Sequence, residues 1–257
     1  MISKNKIKYI HSLEQKKTRR QEGVFVAEGF KVVGDMMAAG HKPQFIVATA
    51  EWLRNNPVEC ETCEVTDEEL RKTSLLQHPQ QVLATFPLPS YSISTEDIAK
   101  GNSLYLALDG VQDPGNLGTI IRIADWFGID TILCSRDTVD AFSPKVVQAT
   151  MGSIARVHII YCDLAEYLTS LPTSTPIYGT LLDGENIYDK SLSNRGIIVM
   201  GNEGNGISPA IRSLVNERLL IPSFPTDRPT AESLNVAIAT AIVCAEFRRV
   251  KNLKNEE

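Results

Sequence analysis

The sequence predicts an α/β fold with two domains. Strand-length apolar runs alternate with helix-like stretches along most of the 257 residues, which is the pattern of α/β modules. The runs in the second half are almost continuously apolar, as expected for a mainly parallel sheet that is covered on both faces. Residues 87–95 contain two prolines and several hydroxyl side chains, so we expect a boundary between domains there.

The first domain is predicted to be a small α/β module over residues 1–90, followed by a linker over residues 91–103. Its β-like runs lie at 24–26, 45–47 and 82–86, and its helix-like stretches lie at 30–39 and 67–72.

The second domain is predicted over residues 104–257. Its strand-length apolar runs lie at 104–108, 131–133, 157–161, 197–200 and 218–221. The last long element, 231–250, is predicted to be a helix with few polar residues before Glu246. Such an apolar helix should be buried against the sheet or against another subunit.

Three loops stand out because each places glycines and polar residues after an apolar strand, where parallel sheets bind ligands. In the first loop a Pro-Gly-Asn turn precedes a helix, with Asn116 as its predicted N-cap and Arg122 about two turns along. The guanidinium of Arg122, which has isoleucine neighbours in the sequence, is suited to binding a phosphate. A capped helix with a surface arginine is the simpler alternative.

The second loop, residues 201–208, has a G-x-x-G-x-G spacing that fits neither a phosphate-binding loop nor a dinucleotide-binding loop. Its glycines leave backbone groups open to a flat ligand, and Ser208 is a predicted N-cap. In the third loop, Ile221-Pro222 and a proline-rich stretch precede Ser233 and Asn235, which are predicted to lie in the first turn of the last helix. Helix capping alone would explain both side chains.

Charge is distributed unevenly along the chain. The total is 26 basic and 31 acidic residues, but residues 1–20 contain seven basic side chains and one acidic one. This N-terminal basic segment therefore carries +6, whereas the rest of the chain carries −11. A basic segment on an acidic body is typical of polyanion binding, and a solvated helix face is the alternative.

The composition, 43% apolar and 22% charged, is that of a globular protein. No apolar run reaches ~18 residues and the N-terminus lacks a secretory signal, so we expect a cytoplasmic protein without a membrane partner. Five cysteines without an export signal predict reduced thiols. Residues 60–63, CETC, have the spacing of half a zinc site, but no second pair exists and no metal is predicted.

The three loops together resemble the motifs of the SpoU (TrmH-like) family of RNA ribose 2′-O-methyltransferases, within the SPOUT superfamily. The matching residues are NLGxxxR at 116–122, MGNEGNG at 200–206, and IP at 221–222 followed by SLNVAIA at 233–239. Their order and intervals match over about residues 104–250. Residues 12–33 also resemble the family's accessory RNA-binding domain, which is similar to ribosomal protein L30e.

The resemblance implies a SPOUT domain whose C-terminal chain forms a deep trefoil knot, preceded by the L30e-like domain. It also implies S-adenosylmethionine as methyl donor, no metal, and a homodimer through the C-terminal domain with the active site at the subunit boundary. The donor would be held by Gly201, Asn202, Gly204, Ile221, Pro222 and Leu234. The catalytic residues would be Asn116, Arg122, Glu203, Ser233 and Asn235.

Arg122 could act as a base assisted by the substrate, or as a phosphate clamp that orients the 2′-hydroxyl. The stretch between Pro222 and Ser233 looks longer than the loop usual in the family. The expected RNA contacts are Lys16, Lys17, Arg19 and Arg20 and, on this longer loop, Arg228.

The expected function is S-adenosylmethionine-dependent methylation of a ribose 2′-hydroxyl, with 23S rRNA as the RNA partner. A tRNA 2′-O-methyltransferase and a non-catalytic ribosome-assembly factor are the alternatives, and the presence of all five catalytic residues argues against the second. A nucleotide enzyme with a small-molecule substrate is disfavoured because no phosphate-loop or dinucleotide pattern occurs.

Overall fold

The computed structural model describes residues 2–225 and 231–252. The helices are α1 (Lys4–Ser12), α2 (Lys16–Glu22), α3 (Phe30–Ala38), α4 (Ala50–Asn55), α5 (Asp67–Thr73), α6 (Thr95–Lys100), α7 (Pro114–Trp126), α8 (Pro144–Ala149), α9 (Leu164–Thr169), α10 (Pro209–Arg212) and α11 (Val236–Asn252). The strands are β1 (Val24–Glu28), β2 (Phe45–Thr49), β3 (Glu61–Val65), β4 (Val82–Pro87), β5 (Leu104–Leu108), β6 (Thr131–Ser135), β7 (His158–Cys162), β8 (Ile177–Asn186), β9 (Gly196–Met200) and β10 (Glu217–Leu220).

These elements form two compact units. The first unit contains the described residues up to Ser90 together with residues 140–156. The second unit contains residues 91–139 and the described residues from Val157 onward. The sequence pattern predicts 140–156 in the second domain, whereas the structure places this segment in the first unit.

A four-stranded mixed sheet in the order β1-β4-β2-β3 forms the centre of the first unit. β4 runs antiparallel to both of its neighbours, and β2 pairs in parallel with β3. All five residues of β1 are buried. β3 was not predicted because three of its five side chains are exposed, so its sequence, ETCEV, lacks an apolar run.

Residues 140–156 are anchored to the first unit by a buried ion pair. Arg19 is only 2% exposed, and its guanidinium binds the Asp140 carboxylate at 2.5 Å. The same guanidinium donates to the carbonyls of Leu13 and Glu14 at 2.7 Å. The prediction that Arg19 contacts RNA is therefore corrected, because its donors are directed into the protein.

The second unit is built on six strands that are all parallel, in the order β10-β8-β9-β5-β6-β7. Every residue of β5, β6 and β9 is buried, as the continuous apolar runs predicted. The predicted α/β class with a mainly parallel sheet is confirmed.

β8 was missed because glycines interrupt its sequence. At Gly184 an added Cβ would lie 2.5 Å from the carbonyl carbon of Leu219, so glycine permits the close approach of β10. The pairing of the two strands also shifts register between Arg218 and Leu219.

The predicted linker, 91–103, contains α6. The Ser94 hydroxyl accepts a hydrogen bond from the Asp97 N–H at 3.1 Å and so caps this helix, whose Ile98 side chain is buried. The last helix, α11, begins at Val236, five residues later than predicted, and packs against α7. None of the described helices is both long enough and apolar enough to span a membrane.

Candidate active site

Two neighbouring parallel strands, β5 and β9, bring the first two motif loops to one edge of the sheet. The buried Asp109 carboxylate, directly after β5, accepts the Ser208 N–H at 2.7 Å. In the other direction, the Asn202 side-chain amide donates to the Gly110 carbonyl at 2.7 Å. Each loop therefore holds the other in place.

The loop after β9 is also held by its own hydrogen bonds. Asn202 and Gly206 exchange two backbone hydrogen bonds, at 2.9 and 3.0 Å. The Asn202 side-chain oxygen accepts the N–H groups of Gly204 and Asn205 at 2.9 and 3.0 Å. At Gly201 a Cβ would lie 2.2 Å from the Gly206 carbonyl carbon, so this position requires glycine. Asn202 and Gly204 were predicted to bind the methyl donor. In the structure both take part in hydrogen bonds within the protein that determine the shape of the loop.

Glu203 links this loop to the start of α7. Its carboxylate accepts the backbone N–H groups of Gln112 at 3.2 Å and Asp113 at 3.1 Å, and the Asn116 side-chain amide at 3.0 Å. Burial raises the pKa of Glu203, but the hydrogen bonds from Asn116 and from backbone N–H groups outweigh it and leave the pKa below its usual value. The group is therefore a carboxylate at neutral pH.

A hydrogen bond between Asn116 and Asn235 connects these two loops to the third motif. The Asn116 side-chain oxygen accepts the Asn235 side-chain amide at 2.9 Å. The Asn235 side-chain oxygen accepts the N–H groups of Ala237 at 2.9 Å and Ile238 at 3.3 Å, so Asn235 caps α11 from just outside it. The Glu203–Asn116–Asn235 chain thus joins all three loops.

Two predicted positions are corrected by these contacts. Asn116 is not the N-cap of α7, because Asp113 has that role and its carboxylate accepts the Asn116 N–H at 2.7 Å. Ser233 and Asn235 lie before α11 and not within its first turn. Sequence alone placed both helix starts imprecisely, because several residues in each loop can serve as caps.

A cavity of about 560 Å³ lies beside these loops. It is bordered by residues 180–183 of β8, by residues 200–207, by residues 219–221 at the end of β10, and by residues 232–234. The predicted site residues that line it are Gly201, Asn202, Glu203, Gly204, Ile221, Ser233 and Leu234. Pro222, Asn116, Asn235 and Arg122 are not in its lining.

The lining combines apolar and acidic groups. Leu181, Met200 and Leu220 contribute apolar surface. The charged side chains are three acids, Asp183, Glu203 and Glu232, and one base, Arg212. This excess of negative charge suits a ligand with an apolar part and a positive charge.

Arg122 lies on α7 about two turns after its start, as predicted, and is exposed. Within residues 2–225 and 231–252, its guanidinium has no hydrogen-bond or ion-pair partner in the structure. An exposed, unpaired guanidinium is available to bind a phosphate.

The predicted RNA contacts other than Arg19 fall into two groups. Lys16, Lys17 and Arg20 border a shallow depression on the surface of the first unit, together with Gln21. Arg228 lies outside the described residues.

Several site residues were missed by the sequence analysis. Asp109 could have been noticed as an acidic residue directly after a buried strand. Thr180, Asp183 and Arg212 had no such signal, because β8 was not predicted and α10 has a single turn.

Comparison with known proteins identifies the family. A family model described as the SpoU rRNA Methylase family matches residues 103–245, which is more than half of the chain. The chain belongs to the SpoU rRNA methylase family. A second model, described as an MRM3-like substrate binding domain, matches residues 4–84.

Members of the SpoU family and related structures are similar to the chain over nearly its whole length. The 23S rRNA (guanosine(2553)-2′-O)-methyltransferase RlmP of Bacillus subtilis is 30% identical, over 95% of this chain and 96% of its own. A TrmH-family structure from Porphyromonas gingivalis has a TM-score of 0.85 and 40% identity, covering 97% of this chain and 99% of that one. The AdoMet-bound rRNA methyltransferase of Sinorhizobium meliloti has a TM-score of 0.84 and 31% identity, covering 97% and 96%.

Proposed function

We propose that this SpoU-family protein transfers a methyl group from S-adenosylmethionine to a ribose 2′-hydroxyl in 23S rRNA. The observation that carries the proposal is the acidic and apolar cavity bordered by the three motif loops, which the Glu203–Asn116–Asn235 chain joins. RlmP, whose name specifies a guanosine of 23S rRNA, supports the choice of RNA because the similarity extends over both domains.

The cavity fits the donor in size and charge. Its volume of about 560 Å³ is within the usual range for a ligand of this size. When bound, S-adenosylmethionine supplies a methyl group on a positively charged sulfonium. Gly201, Ile221 and Leu234 border the space for the donor, and the carboxylates of Glu203 and Glu232 favour its positive charge. The demethylated product lacks that charge, so the same carboxylates hold it less strongly.

The reaction requires positioning more than acid or base strength. The ribose oxygen forms a bond to the methyl carbon while the carbon–sulfur bond breaks, the electron pair remains on sulfur, and the hydroxyl proton is lost to solvent. The fixed loops restrict where the acceptor can approach, and such positioning contributes strongly to the rate of a two-substrate reaction. Glu203 remains a carboxylate that accepts three hydrogen bonds, so in this proposal it holds the loops together and does not act as a base.

Arg122 acts as the phosphate clamp in this proposal. A guanidinium stays protonated in proteins and has donors but no acceptor, so it is suited to binding an RNA phosphate next to the target ribose. Its exposure and its lack of a partner among the described residues support this role over that of a base.

A homodimer through the second unit is part of the proposal. Trp126 at the end of α7 is 85% exposed, and Ile238 near the start of α11 is 53% exposed. These two helices pack against each other, and each still leaves a large apolar side chain uncovered. Uncovered apolar side chains on adjacent elements are typical of a protein–protein interface. Arg122 lies one turn before Trp126 on the same helix face. A second copy that covers Trp126 would therefore bring Arg122 to the subunit boundary.

The dimer is tested by sedimentation velocity. We expect the wild-type protein to sediment as a dimer and Trp126→Glu to sediment as a folded monomer with reduced methyl transfer. A wild-type monomer with full activity would contradict the dimer.

Two further expectations belong to the proposal. We propose that the C-terminal chain forms the trefoil knot implied by the SpoU resemblance. In its support, the segments before and after β10 both border the cavity, and the fold matches a TrmH-family structure over 97% of the chain. We also propose a cytoplasmic location, where rRNA would be modified.

The function is tested by incubating the protein with tritium-labelled S-adenosylmethionine and, separately, 23S rRNA, 16S rRNA and tRNA transcribed in vitro. We expect label in 23S rRNA only, in dinucleotides that resist alkali because the 2′-hydroxyl is blocked. Arg122→Ala should transfer much less label, and its matched control is Arg195→Ala, which removes another exposed arginine of the second unit and should label 23S rRNA like the wild type. Label in no RNA, or in tRNA alone, would contradict the proposal.

A further inference from the structure

An aromatic side chain is exposed at one edge of the first unit. Phe30 is the first residue of α3 and is 57% exposed. Among the described residues of this unit, Met151 is the only other large apolar side chain with comparable exposure. At this level of exposure the Phe30 side chain contributes little to the core, and much of its ring is accessible to a ligand.

The loop that precedes β4 lies beside Gly29, the residue before Phe30. The Gly29 N–H donates to the Val82 carbonyl at 2.9 Å, and the Thr49 N–H donates to the Gln81 carbonyl at 2.9 Å. The side-chain oxygen of Gln80 lies 3.5 Å from the position that a Cβ on Gly29 would occupy. Three separate segments of the first unit therefore meet at this edge.

A buried carboxylate anchors this loop. Glu28, the residue two before Phe30, is 4% exposed. Its carboxylate accepts the Leu75 N–H at 2.8 Å and the Ser74 hydroxyl. Gln81 at the other end of the loop has a φ of 53°, in the left-handed region that is unfavourable for glutamine. The loop is thus fixed at both ends while Gln77, His78 and Gln80 remain exposed.

An exposed aromatic ring that follows Gly29, next to a loop with exposed amide and imidazole side chains, is suited to binding a nucleobase. Unpaired RNA bases stack on aromatic rings and are recognised through hydrogen bonds to their edges. A single exposed phenylalanine among glutamines is too small an apolar patch for a stable protein partner. Residues 4–84, which include this edge, match a substrate-binding domain.

We propose that Phe30 stacks on an unpaired base of the RNA substrate, and that Gln77, His78 and Gln80 contact the same nucleotide. This inference rests on the proposed function, since it names how the RNA substrate is recognised.

The Phe30 edge is separate from the basic surface formed by Lys16, Lys17 and Arg20. α2 ends just before β1 and Phe30 follows just after it, so the two surfaces lie at opposite ends of this strand. Five residues of strand span roughly 17 Å. Phosphates bind at one end and an unpaired base binds at the other.

The test compares Phe30→Leu, which keeps an apolar side chain but removes the ring, with Phe30→Tyr, which keeps the ring. Binding to a fluorescein-labelled single-stranded RNA of mixed sequence, and methylation of 23S rRNA, are measured at several salt concentrations. We expect Phe30→Leu to weaken binding and raise KM for rRNA about tenfold, with kcat within about twofold of wild type. The slope of affinity against salt should be unchanged, because no phosphate contact is lost.

Phe30→Tyr should restore wild-type affinity, and both variants should unfold at the wild-type temperature because the side chain is exposed. Wild-type affinity and KM in Phe30→Leu would overturn the inference, as would a loss that Phe30→Tyr fails to restore. Failure of the proposed function looks different, because the wild-type protein itself would then methylate no rRNA.

Discussion

The two units of this protein differ in charge and in how their candidate contacts are built. The first unit has 14 basic and 12 acidic residues, whereas the second has 12 basic and 19 acidic residues. The basic surface of the first unit consists of long side chains on a short helix. The cavity of the second unit is built from backbone groups and short side chains held by hydrogen bonds.

This difference separates two binding problems. RNA affinity arises from a few cationic side chains and falls with salt, whereas a cationic methyl donor is favoured by an acidic cavity. A strongly basic second unit would attract RNA phosphates to the cavity and disfavour the donor. Substitutions in the two units should therefore affect different measurements.

The largest effect is expected at Arg19, which resembles its neighbour Arg20 in sequence but not in environment. Arg19→Ala leaves the Asp140 carboxylate without its buried partner and should lower the free energy of unfolding by about 3–5 kcal/mol. Arg20→Ala should leave that free energy unchanged, because Arg20 is exposed. Urea denaturation of both variants checks this, and equal stabilities would show that the ion pair does not anchor residues 140–156.

The next largest effect is expected at Arg122. Arg122→Ala should lower kcat for methyl transfer about 100-fold or more, because removing one preorganised charged donor has effects of that size. Binding of S-adenosylmethionine, measured by calorimetry, should be unchanged since Arg122 does not line the cavity. A wild-type kcat in Arg122→Ala would contradict the proposed role of Arg122 in binding an RNA phosphate.

A smaller effect on activity is expected at Glu203. Glu203→Gln replaces one accepting oxygen by an amide that faces N–H donors, so kcat/KM should fall about tenfold. Single-turnover rates at saturating donor check this. Asp189→Asn, an exposed acid of the same unit, is the control.

The same variant gives a pH test. The pKa of Glu203 lies below its ordinary value of 4.5 in the folded protein, so its carboxylate stabilises the fold fully above about pH 4.5. That contribution is lost as pH falls through the lowered pKa. The stability difference between wild type and Glu203→Gln should therefore be constant from about pH 5 to 8 and shrink in more acidic solution. A difference that grows on acidification would contradict the lowered pKa.

The smallest effects are expected for Lys17→Ala and Arg20→Ala. Each should weaken RNA binding a few-fold and reduce the slope of log affinity against log salt by about 0.7 to 0.9, because one phosphate contact is lost. Donor binding should be unaffected. Lys42→Ala, an exposed lysine of the same unit, is the control, and an identical change in that variant would argue against a defined basic surface.

The sequence predicted the second unit better than the first because its strands are continuously apolar. Runs such as those of β5 and β9 have few alternatives to a buried strand, and the motif loops follow them directly. β8 and β3 were missed because glycines or exposed polar residues interrupt them. The basic run at residues 16–20 also did not indicate that Arg19 is buried whereas Arg20 is exposed.

Contacts between residues far apart in the chain could not be predicted from the sequence patterns. Nothing in residues 140–156 indicated that they pack with β1, more than 100 residues earlier, because that association is formed by contacts such as the Phe25–Phe142 ring pair and the Arg19–Asp140 ion pair. Resemblance to the SpoU motifs did select Asn116, Glu203 and Asn235 together. Their roles as a hydrogen-bonded chain became visible only once the loops were placed in space.

The central claim is that the acidic second unit methylates a ribose of 23S rRNA while the first unit binds that RNA. It is tested most directly by mapping 2′-O-methyl groups in 23S rRNA from a strain that lacks the gene. We expect that one methylated ribose is missing in the deletion strain and returns with the wild-type gene, but not with the Arg122→Ala gene. An unchanged set of methyl groups in the deletion strain, or full restoration by Arg122→Ala, would contradict it.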